Sequence, residues 1–291
     1  MYYILANETH LKGKGLNKLE EVKKIFEIAG KDADVLFTQK TGDAKIITQK
    51  ITSTGEKHTV IAMGGDGTLH DIINGIKDFD NCALGLIPFG TGNDFAEAAG
   101  IPLNPVKAAE IIAFRAPQKI DYIELSSGLR SINSVGMGID VEILKRVYNK
   151  NMRGRSKYLR SLIYTLFHYK SINFKVRYDG VEERHFGLIA AVGNGLQLGG
   201  GIKLFPDAKI NDGYMDLLIC DYISKPKIPG ELLKLMRGKV RQVKNITYVK
   251  TKSVEFIPEN DKFTVQAEGE LYESVPFKAG IAESKLNFYL P

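Results

Sequence analysis

The chain has 291 residues, a net charge of +6 and a pI near 9.0, enough for one large domain or two ordinary ones. A hydrophobic share of 44% with 25% charged residues is that of a water-soluble globular protein, and no run approaches the roughly 18 apolar residues of a membrane span. The N-terminus has no signal-peptide pattern, and Cys82 and Cys220 lie in separate apolar runs, so a cytoplasmic protein with two reduced core cysteines is expected rather than a disulfide or a metal site.

Residues 2–6 predict a buried strand and 7–15 a polar loop bearing Gly13-Lys14-Gly15. Leu16, Leu19, Val22, Phe26 and Ala29 recur at helical spacing, so 16–29 predicts an amphipathic helix that Gly30 ends. A strand at 34–38, a helix at 43–51 and strands at 59–63 and 83–87 follow. Strands and helices that alternate over short connections predict a parallel sheet covered on both faces, with ligands at the carboxyl ends of its strands.

Two loops at those strand ends carry unusual residues. The first is Gly64-Gly65-Asp66-Gly67-Thr68, a strand, a glycine turn and a helix start. Glycines let backbone N–H groups approach a phosphate, and the helix behind them favours negative charge. Asp66 would repel that phosphate unless a Mg²⁺ or a transferable proton lay between them. The second loop, Pro88-Phe89-Gly90-Thr91-Gly92-Asn93-Asp94, repeats the pattern and offers a second carboxylate. Taken alone it reads as capping, with Asn93 or Asp94 as the N-cap of a helix at 94–99.

After a helix at 105–114 the pattern changes to period two. Strands are expected at 172–178, 186–192, 214–220, 246–250, 254–257 and 263–267, with Asp179-Gly180 as a hairpin turn. This half predicts a mostly antiparallel β-sandwich with a helical insert at 141–169. That insert carries Lys145, Arg146, Lys150, Arg153, Arg155, Lys157 and Arg160 among tyrosines, and a second basic run covers 234–244. Basic residues interleaved with aromatics suit an anionic membrane surface or RNA, or equally a solvated helix face. The turn at 207–216 offers Asp207, Asp212 and Asp216 with backbone carbonyls, as hard-cation sites do. Glu268-Gly269-Glu270 sets two carboxylates around a glycine.

Together GGDGTLHDIINGI (64–76), PFGTGNDFA (88–96), GMGID (136–140), VGNG (192–195), GGGIKLFPDAKINDGYMDL (199–217) and EGE (268–270) resemble the soluble diacylglycerol kinase family, which is similar to sphingosine and ceramide kinases. The resemblance covers nearly the whole chain. It implies a nucleotide-binding α/β domain (1–122 plus 285–291), akin to NAD kinase and phosphofructokinase. It also implies a β-sandwich domain (123–284), with the site in the cleft between them. The implied reaction moves the γ-phosphoryl of ATP to a lipid hydroxyl, with diacylglycerol giving phosphatidic acid the leading case. Alternatives are an NAD kinase-like enzyme, another acceptor, or a nucleotide-binding protein without lipid kinase activity.

Carried over by position, ATP would be held by Asn7, Thr38, Gly64, Gly65, Asp66, Gly67, Thr68, Leu69, His70, Asp71, Gly90, Thr91 and Asn93. Asp66 and Asp94 would organise catalytic Mg²⁺. The carbonyls of Lys209 and Tyr214 and the carboxylate of Asp212 would hold a structural Mg²⁺. Glu270, with Glu268 beside it, would be the general base. Three departures stand out: the first loop lacks the family's Asn-Pro-x-Ser-Gly, His70-Asp71 replaces Asn-Glu, and Glu268 replaces Asp. The implied partners are a lipid substrate and an anionic membrane surface, engaged peripherally from the cytoplasm, with no nucleic acid. A homodimer is compatible with the sequence.

Overall fold

The computed structural model describes residues 1–8, 11, 13–150, 157–198, 201–259, 263–274 and 276–291. Thr9, His10 and Lys12 of the first loop, Arg153 and Arg155 of the insert, and Gly199-Gly200 lie outside the described residues. The chain divides into two compact units, Met1–Asp121 with Glu283–Pro291, and Tyr122–Ala282.

In the first unit β1 (Tyr2–Asn7), α1 (Lys14–Ile28), β2 (Ala33–Thr38), α2 (Asp43–Thr52), β3 (His58–Gly64), α3 (Asp66–Gly75) and β4 (Cys82–Pro88) alternate along the chain. After them come α4 (Asp94–Ala98), α5 (Pro105–Phe114) and β5 (Gln118–Ile120). β1 lies between β2 and β3, β3 is followed by β4, and all of these pairs are parallel. The C-terminal strand Leu286–Phe288 returns to pair β4, parallel, and β5, antiparallel. Burial on both faces explains the unbroken apolar runs: every residue of β3 is buried, and Val60, Ile61 and Ala62 are wholly inaccessible. The register sets Asn7 opposite Thr38, Ala6 opposite Met63, and Gly64 opposite Pro88, so the loops after β1, β2, β3 and β4 share one edge of the sheet. The strand order reverses at β1, a point where parallel sheets open a crevice for ligands.

The second unit contains β6 (Ile123–Leu125), β7 (Arg130–Ser131), β8 (Ser134–Gly138), α6 (Ile139–Asn149), α7 (Lys157–His168), β9 (Ile172–Tyr178) and β10 (Val181–Gly193). β11 (Met215–Asp221), α8 (Ile228–Met236), β12 (Ile246–Thr251), β13 (Ser253–Pro258), β14 (Thr264–Ala267), β15 (Glu270–Glu273) and β16 (Phe277–Ile281) follow, which makes Leu286–Phe288 β17. All its strand pairs are antiparallel. The long β10 pairs β9 along its first half and both β8 and β11 along its second. Period two then sorts side chains into two cores. Met215, Leu217 and Ile219 of β11 enter the sandwich interior with Phe174, Val192, Phe256 and Phe277. Leu218 and Cys220 face the opposite way, into a second cluster with Ile139, Leu188, Phe205 and Tyr248.

Candidate active site

The two glycine loops of the first unit are packed backbone against backbone. A Cβ placed on Gly90 would stand 2.5 Å from Gly65 Cα, and one on Gly64 would collide with Thr68 Oγ1. No other residue allows that approach, which is the physical reason for glycine here. The Phe89 N–H donates to the Gly64 carbonyl at 2.8 Å and continues the link. Asn93, held in the left-handed region at φ 56°, closes its own loop: the Gly90 N–H donates to its Oδ1 at 3.1 Å, and its Nδ2 donates to the Gly90 carbonyl at 3.0 Å.

Asp66 is the tie between the loops. The N–H groups of Asp94 and Phe95, the first two residues of α4, donate to its two carboxylate oxygens at 3.1 and 3.2 Å. The capping of α4 therefore comes from the neighbouring loop. Asn93 stands at the N-cap position and makes no side-chain cap bond. Burial holds the Asp66 carboxyl above its ordinary range, and the N–H donors work against that shift. Asp94 is buried.

The remaining nucleotide candidates fall into two groups. Asn7, Gly67, Thr68 and Thr91 are half-buried or exposed at the same sheet edge, whereas Thr38 is buried with its hydroxyl on the Ala6 carbonyl. Leu69 and His70 turn inward, and the His70 imidazole is pushed down to about 4 by burial and by Lys45, which keeps it neutral near pH 7. Asp71 accepts the Gly42 N–H at 2.8 Å and so fastens the start of α2 to α3. Burial also raises its pKa.

In the second unit Glu268 and Glu270 have different surroundings. Glu268 sits at φ 53° in the turn between β14 and β15. Its Oε1 accepts from the Ser131 hydroxyl at 2.5 Å and from the Asn133 and Ser134 N–H groups at 2.6 and 3.4 Å. Its carboxylate thus anchors the turn to the β7–β8 connection. Glu270, half-buried, opens β15. The Tyr148 hydroxyl donates to the carbonyl of the intervening Gly269 at 2.5 Å. Burial and the charge of Glu270 raise the Tyr148 pKa.

The acids of the 207–216 turn are taken up by bases. Asp207 pairs with Arg241 at 2.8 Å. Lys250 bridges Asp212 at 2.6 Å and the buried Asp216 at 3.5 Å, and the Tyr214 N–H donates to the other Asp212 oxygen at 3.1 Å. Lys209 and Tyr214 are exposed. Among the described residues no three His, Cys, Asp or Glu side chains gather as a metal centre.

Residues 1–125 match the diacylglycerol kinase catalytic domain, and 133–289 match the YegS C-terminal NAD kinase beta sandwich-like domain. This chain belongs to the diacylglycerol kinase family of lipid kinases. One relative, from Xanthomonas oryzae pv. oryzae and named "Probable lipid kinase YegS-like", is 30% identical over 97% of this chain and 94% of its own length. The diacylglycerol kinase of Bacillus subtilis strain 168 is 30% identical over 89% of this chain and 86% of its own. A solved diacylglycerol kinase candidate from Bacillus anthracis strain Sterne superposes with a TM-score of 0.83 at 24% identity, over 100% of this chain and 97% of that one. That likeness shows the shared fold alone.

Within this lipid kinase, three features of the site went unnoticed in the sequence. Tyr148 is one of several tyrosines in the basic insert, and nothing in the sequence sets it apart. Lys250 lies in a strand far along the chain from the acids it bridges. Asp140 closes the GMGID motif and is buried, its carboxyl pushed up to about 7 by that burial, with the Val141 N–H on one oxygen at 2.9 Å. A Cβ on Gly136 would collide with its other oxygen, so the motif's glycine is a space requirement of the acid. The motif was legible, its purpose was not.

Proposed function

We propose that this lipid kinase transfers the γ-phosphoryl of ATP to a lipid hydroxyl, with diacylglycerol as the acceptor. The observation that carries the proposal is the nested pair of glycine loops with Asp66 fixed on the N–H groups of α4. Phosphoryl transfer asks little covalent chemistry of a protein. It needs the phosphates positioned and their charge offset. The edge formed by Asn7, Thr38, Gly64 and Pro88 supplies backbone donors and the two glycine loops.

In the reaction the acceptor oxygen bonds to the γ-phosphorus, the bond from that phosphorus to the β,γ-bridging oxygen breaks, and ADP leaves. Glu270 takes the proton of the hydroxyl. Glu268 suits that role less, because its Oε1 already accepts from three donors. Asp66 and Asp94 would hold Mg²⁺, and a divalent cation would favour the ionised form of Asp66 that burial disfavours. When bound, the ion offsets phosphate charge. The Asp212 turn fits a second ion less well, since an ammonium already occupies one of its oxygens.

Radiolabelled ATP with Mg²⁺ and a panel of diacylglycerol, ceramide, sphingosine and phosphatidylglycerol in mixed micelles tests this reading, with NAD as a soluble comparison. Label in phosphatidic acid alone supports it. Label in NADP, or in no product while ATP binds, overturns it.

A further inference from the structure

Glu270 follows a two-residue hairpin turn. Ala267 and Glu270 are paired at the end of β14 and the start of β15, and Glu268 and Gly269 between them take φ 53° and 85°. Two consecutive positive φ values belong to a type I′ turn, which favours glycine and disfavours glutamate. The Gly269 N–H and carbonyl lie at the tip, outside the strand ladder, and the protein itself takes up both. The Gln266 Oε1 accepts from the Gly269 N–H at 3.2 Å, and the Tyr148 hydroxyl donates to the Gly269 carbonyl at 2.5 Å.

The second of these bonds bears directly on Glu270. A peptide group is planar, so the Gly269 carbonyl and the nitrogen and Cα of Glu270 lie in one plane. A donor that fixes the carbonyl therefore fixes the plane from which the Glu270 side chain departs. Packing alone does not account for a tyrosine here. The residue is 45% exposed, and phenylalanine would cover the same surface. Only the hydroxyl reaches the turn. Burial and then the charge of Glu270 raise its pKa, so it stays protonated through the neutral range and remains a donor.

Both bonds lead back to one helix. Tyr148 lies in the last turn of α6, and Asp140 lies in its first turn, where its carboxyl interacts with the side chain of Gln266. From residue 140 to 148 the helix rises about 12 Å. Gln266 belongs to β14 and is completely buried, which restrains its amide. α6 therefore grips the hairpin at two points, directly through Tyr148 and by way of Gln266. Glu268 adds a third hold from the β7–β8 connection, through the bonds that its Oε1 accepts.

We propose that Tyr148 is a positioning residue of this lipid kinase: its hydroxyl holds the Gly269 carbonyl and thereby sets the direction in which Glu270 meets the acceptor hydroxyl. The proposal rests on Glu270 as the base of the reaction argued above. Tyr148→Phe removes one hydroxyl at an exposed position and keeps the ring. With diacylglycerol in mixed micelles it should lower kcat about tenfold, leave KM for ATP unchanged and lower the melting temperature by no more than about 5 °C. A double-mutant cycle separates positioning from a general loosening of the fold. Once Glu270→Gln has removed the base nothing is left to aim, so adding Tyr148→Phe to that variant should change kcat by less than about twofold. Amide hydrogen exchange, followed by mass spectrometry, reads the same hold without turnover: residues 266–273 should exchange about tenfold faster in Tyr148→Phe than in wild type. Wild type that phosphorylates no lipid would refute the reaction, and the exchange rates would still decide the hold. Unchanged exchange, unchanged kcat in Tyr148→Phe, or a full tenfold drop in the Glu270→Gln background would overturn the proposal.

Discussion

Replacing Asp66 tests the architecture of the phosphate edge most directly, because its carboxylate has two separable duties. One is structural: it accepts the N–H groups of Asp94 and Phe95 and thereby ties one glycine loop to the helix after the other. Bonds from N–H to an ionised acceptor contribute about 1.5–3 kcal/mol each. Part of that gain is offset by the desolvation that raises the Asp66 pKa. Asp66→Ala therefore should cost about 2–4 kcal/mol, which lowers the melting temperature by roughly 5–10 °C in a chain of this size. Asp66→Asn keeps one acceptor oxygen and should cost about half as much. The second duty, in the proposed reaction, is electrostatic, and both variants remove the charge, so both should lose phosphoryl transfer. Thermal melts by circular dichroism, with turnover measured below the transition, separate the two. A wild-type melting temperature in Asp66→Ala would refute the tie. Sustained turnover in Asp66→Asn would refute the need for charge.

The other predictions concern separate elements. Gly90→Ala drives a methyl into Gly65 Cα and should cost about 1–3 kcal/mol while abolishing binding of a fluorescent ATP analogue, read by titration. Glu270→Gln should lower kcat by about 10²- to 10⁴-fold, far more than any change in melting temperature explains. Glu268→Gln should instead lower the melting temperature and spare more of kcat, since its Oε1 anchors a turn; the opposite pattern would exchange the two roles. Asp140 gives a pH signature. Its folded pKa, about 7, is raised above the ordinary 3.8, so between these values the folded state holds more protons than the unfolded one. The stability it contributes is therefore present at low pH and falls as pH rises from about 4 to 7, by up to about 4 kcal/mol. Urea melts of Asp140→Asn across this window should be flatter than wild type, and steeper melts would contradict the assignment.

What the sequence revealed, and what it hid, follows from how local each signal is. Strands β1, β3 and β4 were readable because burial on both faces writes an unbroken apolar run. The glycine loops were readable because glycine is required wherever backbones touch, as Gly65 and Gly90 do. α8 was missed, its sequence read only as a basic run, because Pro229 and Gly230 interrupt the helical period; proline in a first turn is compatible with a helix start. β15 is a four-residue edge strand and β16 a five-residue strand between β13 and β6, and runs this short carry little period. The longest-range contacts left no trace at all. Nothing near residue 94 announces that Asp66 caps its helix, and nothing near 212 announces Lys250.

The two-faced burial of β11 also bears on how such enzymes diversify. Its alternate residues serve two interiors, one closing the sandwich and one lying under the helices. Substitutions at Leu218 or Cys220 can reshape what the helices enclose while Met215, Leu217 and Ile219 go on holding the strands together. The second interior is thereby free to change without disturbing the sandwich, position by position along a single strand. A one-residue slip of β11 would exchange the two sets at once, so its pairing with β10 and β12 guards both inheritances.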